Sequence, residues 1–128
     1  GILSVWGISM TLMSRLVAPL LPFGGTAVNI ALDDSETSLE PFGISGRVFH
    51  TPGHTKGSMS VLLETGDAFV GDLAMNGLPY RPGPGMPSLG DDAGAVKKSW
   101  RLLLDSGAKR IFPGHGKPFD ADVLRKKL

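Results

Sequence analysis

The sequence predicts an α/β domain, and three observations carry that expectation. Short apolar, β-branched runs (Arg47–His50, Ser58–Glu64, Ala68–Val70 and Lys109–Pro113) alternate with turn signals. One amphipathic stretch carries Val96, Trp100, Leu103 and Leu104 on a single face and reads as a helix. Eighteen glycines and ten prolines in 128 residues favour a loop-rich, enzyme-like chain over a helical bundle.

The bulk numbers narrow the function classes. At 128 residues the chain is one domain or part of one, long enough to bury a core of its own. A formal net charge of +1 gives no strong field, so a nucleic-acid partner is not expected. The absence of cysteine rules out a disulfide scaffold and any Cys-type zinc site.

Taken in order, the first 32 residues carry a single charge, Arg15. Ile2, Val5, Trp6, Ser9, Met13, Leu16, Val17 and Leu20 recur at helical spacing, so residues 1–22 read as an apolar helix, buried or at an interface. Arg15, Gly7 and Pro19 argue against a membrane span, and the lack of a basic leader argues against a signal peptide. A cytoplasmic setting is the expectation. Pro22–Gly25 ends the helix, and residues 26–128 hold the sheet, the remaining helices and the candidate site. Thr26–Leu32 is apolar and β-branched enough for a strand. Asp33–Glu40, with four acids in eight residues, reads as a solvated turn.

Thr65-Gly66-Asp67 is a hairpin signal between two strands. Gly77–Gly90 contains four prolines and four glycines, which excludes regular structure. That loop starts five residues after Asp72 and can wall a site there, with Tyr80 and Arg81 as candidate substrate contacts. Asp91 and Asp92 cap the helix that follows, and Gly107 fits its C-terminal exit. Asp120 caps a short final helix.

The chain is organised around Thr51-Pro52-Gly53-His54-Thr55. Pro52 and Gly53 force a turn between two strands and hold an imidazole at a strand end. Asp72 follows the run Ala68–Gly71, and His115 follows Ile111–Gly114, each beside glycine. Neutral imidazole and carboxylate suit a divalent ion such as zinc, and an aspartate has two oxygens with which to bridge two ions.

In that order these motifs resemble those of the metallo-β-lactamase superfamily. Thr51-Pro52-Gly53-His54-Thr55 looks like its third histidine motif, Gly71-Asp72 like its bridging aspartate, and Pro113-Gly114-His115-Gly116 like its last histidine. The spacing fits, at 18 residues from His54 to Asp72 and 43 more to His115. The resemblance covers roughly residues 27–128. One departure matters: the family opens its site with H-x-H-x-D-H, and the only histidines here are His50, His54 and His115.

The resemblance implies the C-terminal half of an αββα sandwich, with the N-terminal half as a missing partner. It implies His54 on one metal, His115 on the other and Asp72 on both. Two zinc ions are expected in a complete site, with iron or manganese as alternatives. The remaining ligands and the proton-handling aspartate would belong to the absent motif, so no catalytic residue is assigned within this chain. Thr51 and Thr55 are candidates to orient the imidazole, and His50 a strand or outer-shell residue. The implied parent is a zinc-dependent hydrolase in which metal-activated hydroxide attacks a small-molecule ester, thioester, lactone, amide or phosphodiester.

The alternative is a catalytically silent half-domain that binds metal weakly or self-associates. His54, Asp72 and His115 should converge to on the order of 3–6 Å. An open sheet face bearing Met59, Val61 or Leu62, and Val70 should favour a homodimer, with residues 2–21 in the contact.

Overall fold

The structure is a computed structural model that describes residues 2–3, 8, 12–13, 16–21, 24–79 and 81–128. Among these, the strands are β1 (Ile2–Leu3), β2 (Thr37–Ser38), β3 (Gly46–His50), β4 (Met59–Leu63), β5 (Asp67–Asn76), β6 (Leu89–Gly90), β7 (Arg110–Gly116) and β8 (Phe119–Asp120). The helices α1 (Ala93–Asp105) and α2 (Asp122–Arg125) complete the α/β reading.

Six strands form one mixed sheet in the order β2-β3-β4-β5-β7-β8. Every pairing is antiparallel except β5 with β7. That one parallel pair needs a crossover, and α1 supplies it. Asp92 caps α1 by accepting from the Ala95 amide at 3.0 Å. At the other end the Ala108 amide donates to the Leu103 carbonyl at 3.0 Å and the Gly107 amide to that of Leu104 at 3.2 Å.

Alternation along the strands sorts the two sheet faces. Phe49, Leu62, Ala68, Val70 and Ile111 lie under Val96, Trp100, Leu103 and Leu104 of α1, with Leu124 of α2 closing the cluster. The opposite face carries the row Val48, Val61, Phe69 and Phe112, paired across four strands. Phe69 and Phe112 stack at 4.8 Å, and the Arg110 guanidinium sits over the Phe112 ring. Phe69 nevertheless remains 44% exposed. Met59 and Val61 therefore face the open side, but Leu62 and Val70 do not. They belong to the helix-covered face, because a one-residue step along a strand reverses the side.

The first 32 residues depart from expectation. Ile2 and Leu3 form a strand paired antiparallel with Leu89–Gly90, not the start of a helix. Residues 8, 12, 13, 16 and 17 are helical, and a 3₁₀ turn covers Ala18–Leu20. Ile8, Leu12, Met13, Leu16, Val17, Leu20 and Leu21 are all exposed, so the apolar stripe is not buried within this chain. Expectations placed on Val5, Trp6, Gly7, Ser9, Arg15, Pro22 and Phe23 lie outside the described residues.

Residues 26–32 form no strand and are exposed. The free edge of β3 is taken by Thr37–Ser38 instead, so no ladder remains there for residues 26–32 to join. No helix among the described residues is long and apolar enough to cross a membrane.

Candidate metal centre

The turn after β3 is built to hold His54 still. Gly53 has φ 141°, and a Cβ there would lie 2.5 Å from the Val96 amide nitrogen. Only glycine lets the turn lie against the start of α1. The turn and the helix start are then stitched together. The Asp92 amide donates to the Gly53 carbonyl and the Asp91 amide to that of His54, both at 3.0 Å. The Ser99 hydroxyl donates to the Pro52 carbonyl at 2.8 Å.

Asp72 is presented by a break in register. From Phe69 to Met75 the strand β5 takes six steps, while its partner runs only from Phe112 to His115. The surplus residues bulge out of the ladder, and Asp72 stands among them. Bulges re-aim side chains and recur beside active sites. Directly after it, Leu73 is anchored by the buried Trp100, whose indole N–H donates to the Leu73 carbonyl at 3.0 Å.

His115 stands one residue before the end of β7 and closes the constellation. His54 Nε2 stands 3.5 Å from Asp72 Oδ2, and His115 Nε2 stands 3.4 Å from Asp72 Oδ1. Each carboxylate oxygen thus faces a different imidazole. Gly114 provides the room, since a Cβ there would come 3.0 Å from Asp72 Oδ1. The three side chains form a gradient of access, with His54 17% exposed, Asp72 32% and His115 39%.

These separations suit a shared ion better than a direct hydrogen bond. Two donors about 2.0–2.1 Å from a tetrahedral ion lie roughly 3.3–3.4 Å apart. Two imidazoles and a carboxylate are donors of the kind that divalent ions take. Yet among the described residues no group of three or more His, Cys, Asp or Glu side chains could hold one ion together. The arrangement is two pairs sharing one carboxylate: His54 with Asp72, and His115 with Asp72.

The residues expected to support the site take other partners. Thr51 is fully buried and its hydroxyl pairs with that of Ser60 at 2.7 Å, which ties the turn to β4. Thr55 binds Ser58 through both its amide and its hydroxyl, tightening the turn. His50 spans outward, with Nε2 2.7 Å from the Lys56 carbonyl and Nδ1 3.1 Å from Asp34.

The group that orients the His54 imidazole is the Leu89 carbonyl, 2.9 Å from Nδ1. That contact assigns the proton to Nδ1 and leaves Nε2 as the lone pair turned toward Asp72. No side-chain signal could have announced it, because the contact is to backbone. Its location is the end of the Pro/Gly loop, so that loop does reach the site. Within the loop, Arg81 donates to the Met86 carbonyl while its Nε is buried without a partner. Burial holds the Arg81 guanidinium below its ordinary pKa. Tyr80 lies outside the described residues.

The family profile described as the metallo-beta-lactamase superfamily matches residues 5–115, a span that includes all three side chains. This chain belongs to the metallo-beta-lactamase superfamily. A lactamase-like protein of Pestalotiopsis microspora is 34% identical over 89 residues, covering 69% of this chain and 25% of its own. The beta-lactamase-like protein 2 homolog of Drosophila melanogaster is 33% identical over 81 residues, covering 63% of this chain and 25% of its own.

Among solved structures, an archaeal superfamily protein from Sulfolobus tokodaii aligns with 99% of this chain and 52% of its own at a TM-score of 0.58 and 21% identity. A metallo-beta-lactamase from Hirschia baltica aligns with 93% of this chain and 57% of its own at a TM-score of 0.56 and 18% identity. These two likenesses bear on the fold alone. The chain therefore spans about half the length of those structures, and its match spans a quarter of the curated relatives. The superfamily is one of metal-dependent hydrolases, which agrees with the chemistry of the donor set.

Proposed function

We propose that His54, Asp72 and His115 form part of a hydrolase site that takes two divalent ions, with the Asp72 carboxylate shared between them. The observation that carries this reading is the split carboxylate, with one oxygen toward each Nε2. Imidazole and carboxylate donors favour zinc, with iron and manganese next. The ions would supply Lewis acidity and lower the pKa of water at neutral pH. The chain's own residues supply placement. Leu89 holds the His54 tautomer, Trp100 fixes the backbone beside Asp72, and α1 pins the turn. The substrate is a small molecule with an ester, thioester, lactone, amide or phosphodiester bond. The further ligands and a proton-handling carboxylate come from an H-x-H-x-D-H motif that this sequence does not contain.

Cobalt titration followed by visible absorption tests the metal reading. The chain alone should bind weakly, and dialysed protein should keep well under one zinc per chain, because an incomplete donor set loses chelate geometry. Asp72→Asn should weaken binding by about tenfold or more at both positions. Equal affinity in wild type and variant would remove the carboxylate from the site.

A second reading is a catalytically silent, self-associating module, and the open sheet face favours it, where Phe69 stays 44% exposed. Light scattering coupled to size exclusion separates the two readings. A monomer at micromolar concentration whose cobalt binding requires Asp72 supports the hydrolase site, whereas a dimer indifferent to cobalt supports the module.

A further inference from the structure

Beside His115 lies a cavity of about 400 Å³, lined by Asn76, Gly77, Leu78, Gly116 and Lys117. It opens where β5 and β7 both end, at the carboxyl ends of the parallel pair. Ligands in α/β sheets bind at such ends. The two strand ends are drawn unusually close. Asn76 pairs with Gly116, and a Cβ at Gly116 would come 1.3 Å from the Asn76 carbonyl oxygen. The Asn76 side-chain amide then donates to the Lys117 carbonyl at 2.8 Å, which fixes the backbone of the one cationic residue in the lining. Among the described residues no carboxylate pairs with the Lys117 ammonium. Leu78, 80% exposed, gives the rim an apolar wall.

We infer that this cavity is a substrate subsite for an anionic substituent, a carboxylate or phosphate read by Lys117, with a short apolar linker against Leu78. The inference rests on the hydrolase reading for its place in a reaction, but not for its binding chemistry. Gly116 directly follows His115, so an anion held at Lys117 leaves the adjoining part of the molecule beside the candidate metal ligands. The hydrolase would then prefer substrates that carry a negative charge a few bonds from the bond cleaved. An exposed ammonium–anion contact is modest, so the discrimination is several-fold and not absolute.

Amide-resolved NMR of the full chain, held free of metal by a chelator, tests the subsite separately from metal binding. Succinate, inorganic phosphate and uncharged dimethyl succinate are the three probes. Saturable shifts at Asn76, Gly77, Gly116 and Lys117 are expected with succinate or phosphate, and whichever gives the larger response names the anion. Dimethyl succinate should leave those amides unmoved. Lys117→Gln should weaken the response about three- to fivefold, while Lys98→Gln, on α1, should leave it intact. Equal shifts from the neutral diester, or an undiminished response in Lys117→Gln, would overturn the subsite. Anion binding with cobalt affinity unchanged in Asp72→Asn would retain the subsite and remove the hydrolase reading. Asp72-dependent cobalt binding without anion binding would do the reverse.

Discussion

Two regions of this chain are about equally apolar in sequence and opposite in structure. Ile8, Leu12, Met13, Leu16, Val17 and Leu20 stand exposed, while Leu62, Val70, Val96, Trp100, Leu103 and Ile111 are buried to 3% or less. What separates them is a partner surface. The second group meets at one sheet face where α1 is carried across β5 and β7 by the crossover. The first group has helical spacing but no described surface to pack on. Apolar periodicity dictates which side of an element seeks burial, and tertiary connection decides whether it finds any.

The sharpest way to break that comparison is to remove the keystone of the packed region. Trp100→Ala empties a nearly sealed site and strips the Leu73 carbonyl of its donor. The expected loss is about 3–5 kcal/mol in urea unfolding. A loss below about 1 kcal/mol would mean that the buried region owes its order to something other than this packing.

Next in size is Gly53→Ala, which forces a Cβ against the Val96 amide at a positive φ. It should cost about 1–3 kcal/mol. It should also shift the His54 imidazole signals in NMR, because the stitched turn must move. An unmoved His54 spectrum would separate the site from the helix stitched to its turn.

Acid probes the same helix more gently. The amides of Ala95 and Gly94 hold the Asp92 carboxylate below its ordinary value of 3.8. A depressed folded value means that the cap's contribution is complete above the ordinary value and is lost as pH falls through the lowered one. Asp92→Ala should therefore be less stable than wild type at pH 7, and the two urea midpoints should converge in acid. A gap that persists below the carboxylate range would assign the effect to something other than the charge.

The smallest effect belongs to the exposed region. Leu16→Glu should change unfolding of the dilute chain by less than about 0.5 kcal/mol. A larger loss would show that residues 8–21 contribute to the fold.

The sequence disclosed what is written in local residue types. Pro52, Gly53 and His54 specify a turn and a ligand together, and Asp92 and Gly107 mark the two ends of α1 where the structure has them. It concealed what depends on pairing. The bulge that turns Asp72 out of β5 exists only against β7, and the Leu89 carbonyl bears no side chain to notice. The orientation of Leu62 and Val70 rests on strand register, which a single step inverts. For residues 1–22 the periodic stripe predicted an apolar helix, and what such a helix would pack against is not coded within the stripe.

The single parallel pairing also sets a clock. The hairpins β3-β4 and β4-β5 close locally and bring the His54 turn and the strand that leads to Asp72 into one sheet. His115 arrives only when the 43 residues after Asp72, α1 included, have come round to lay β7 against β5. Closure over such a distance is slow relative to hairpin formation. In stopped-flow refolding, a cobalt spectrum that requires both imidazoles should therefore rise with the slowest folding phase. A spectrum that requires His54 alone should lead it.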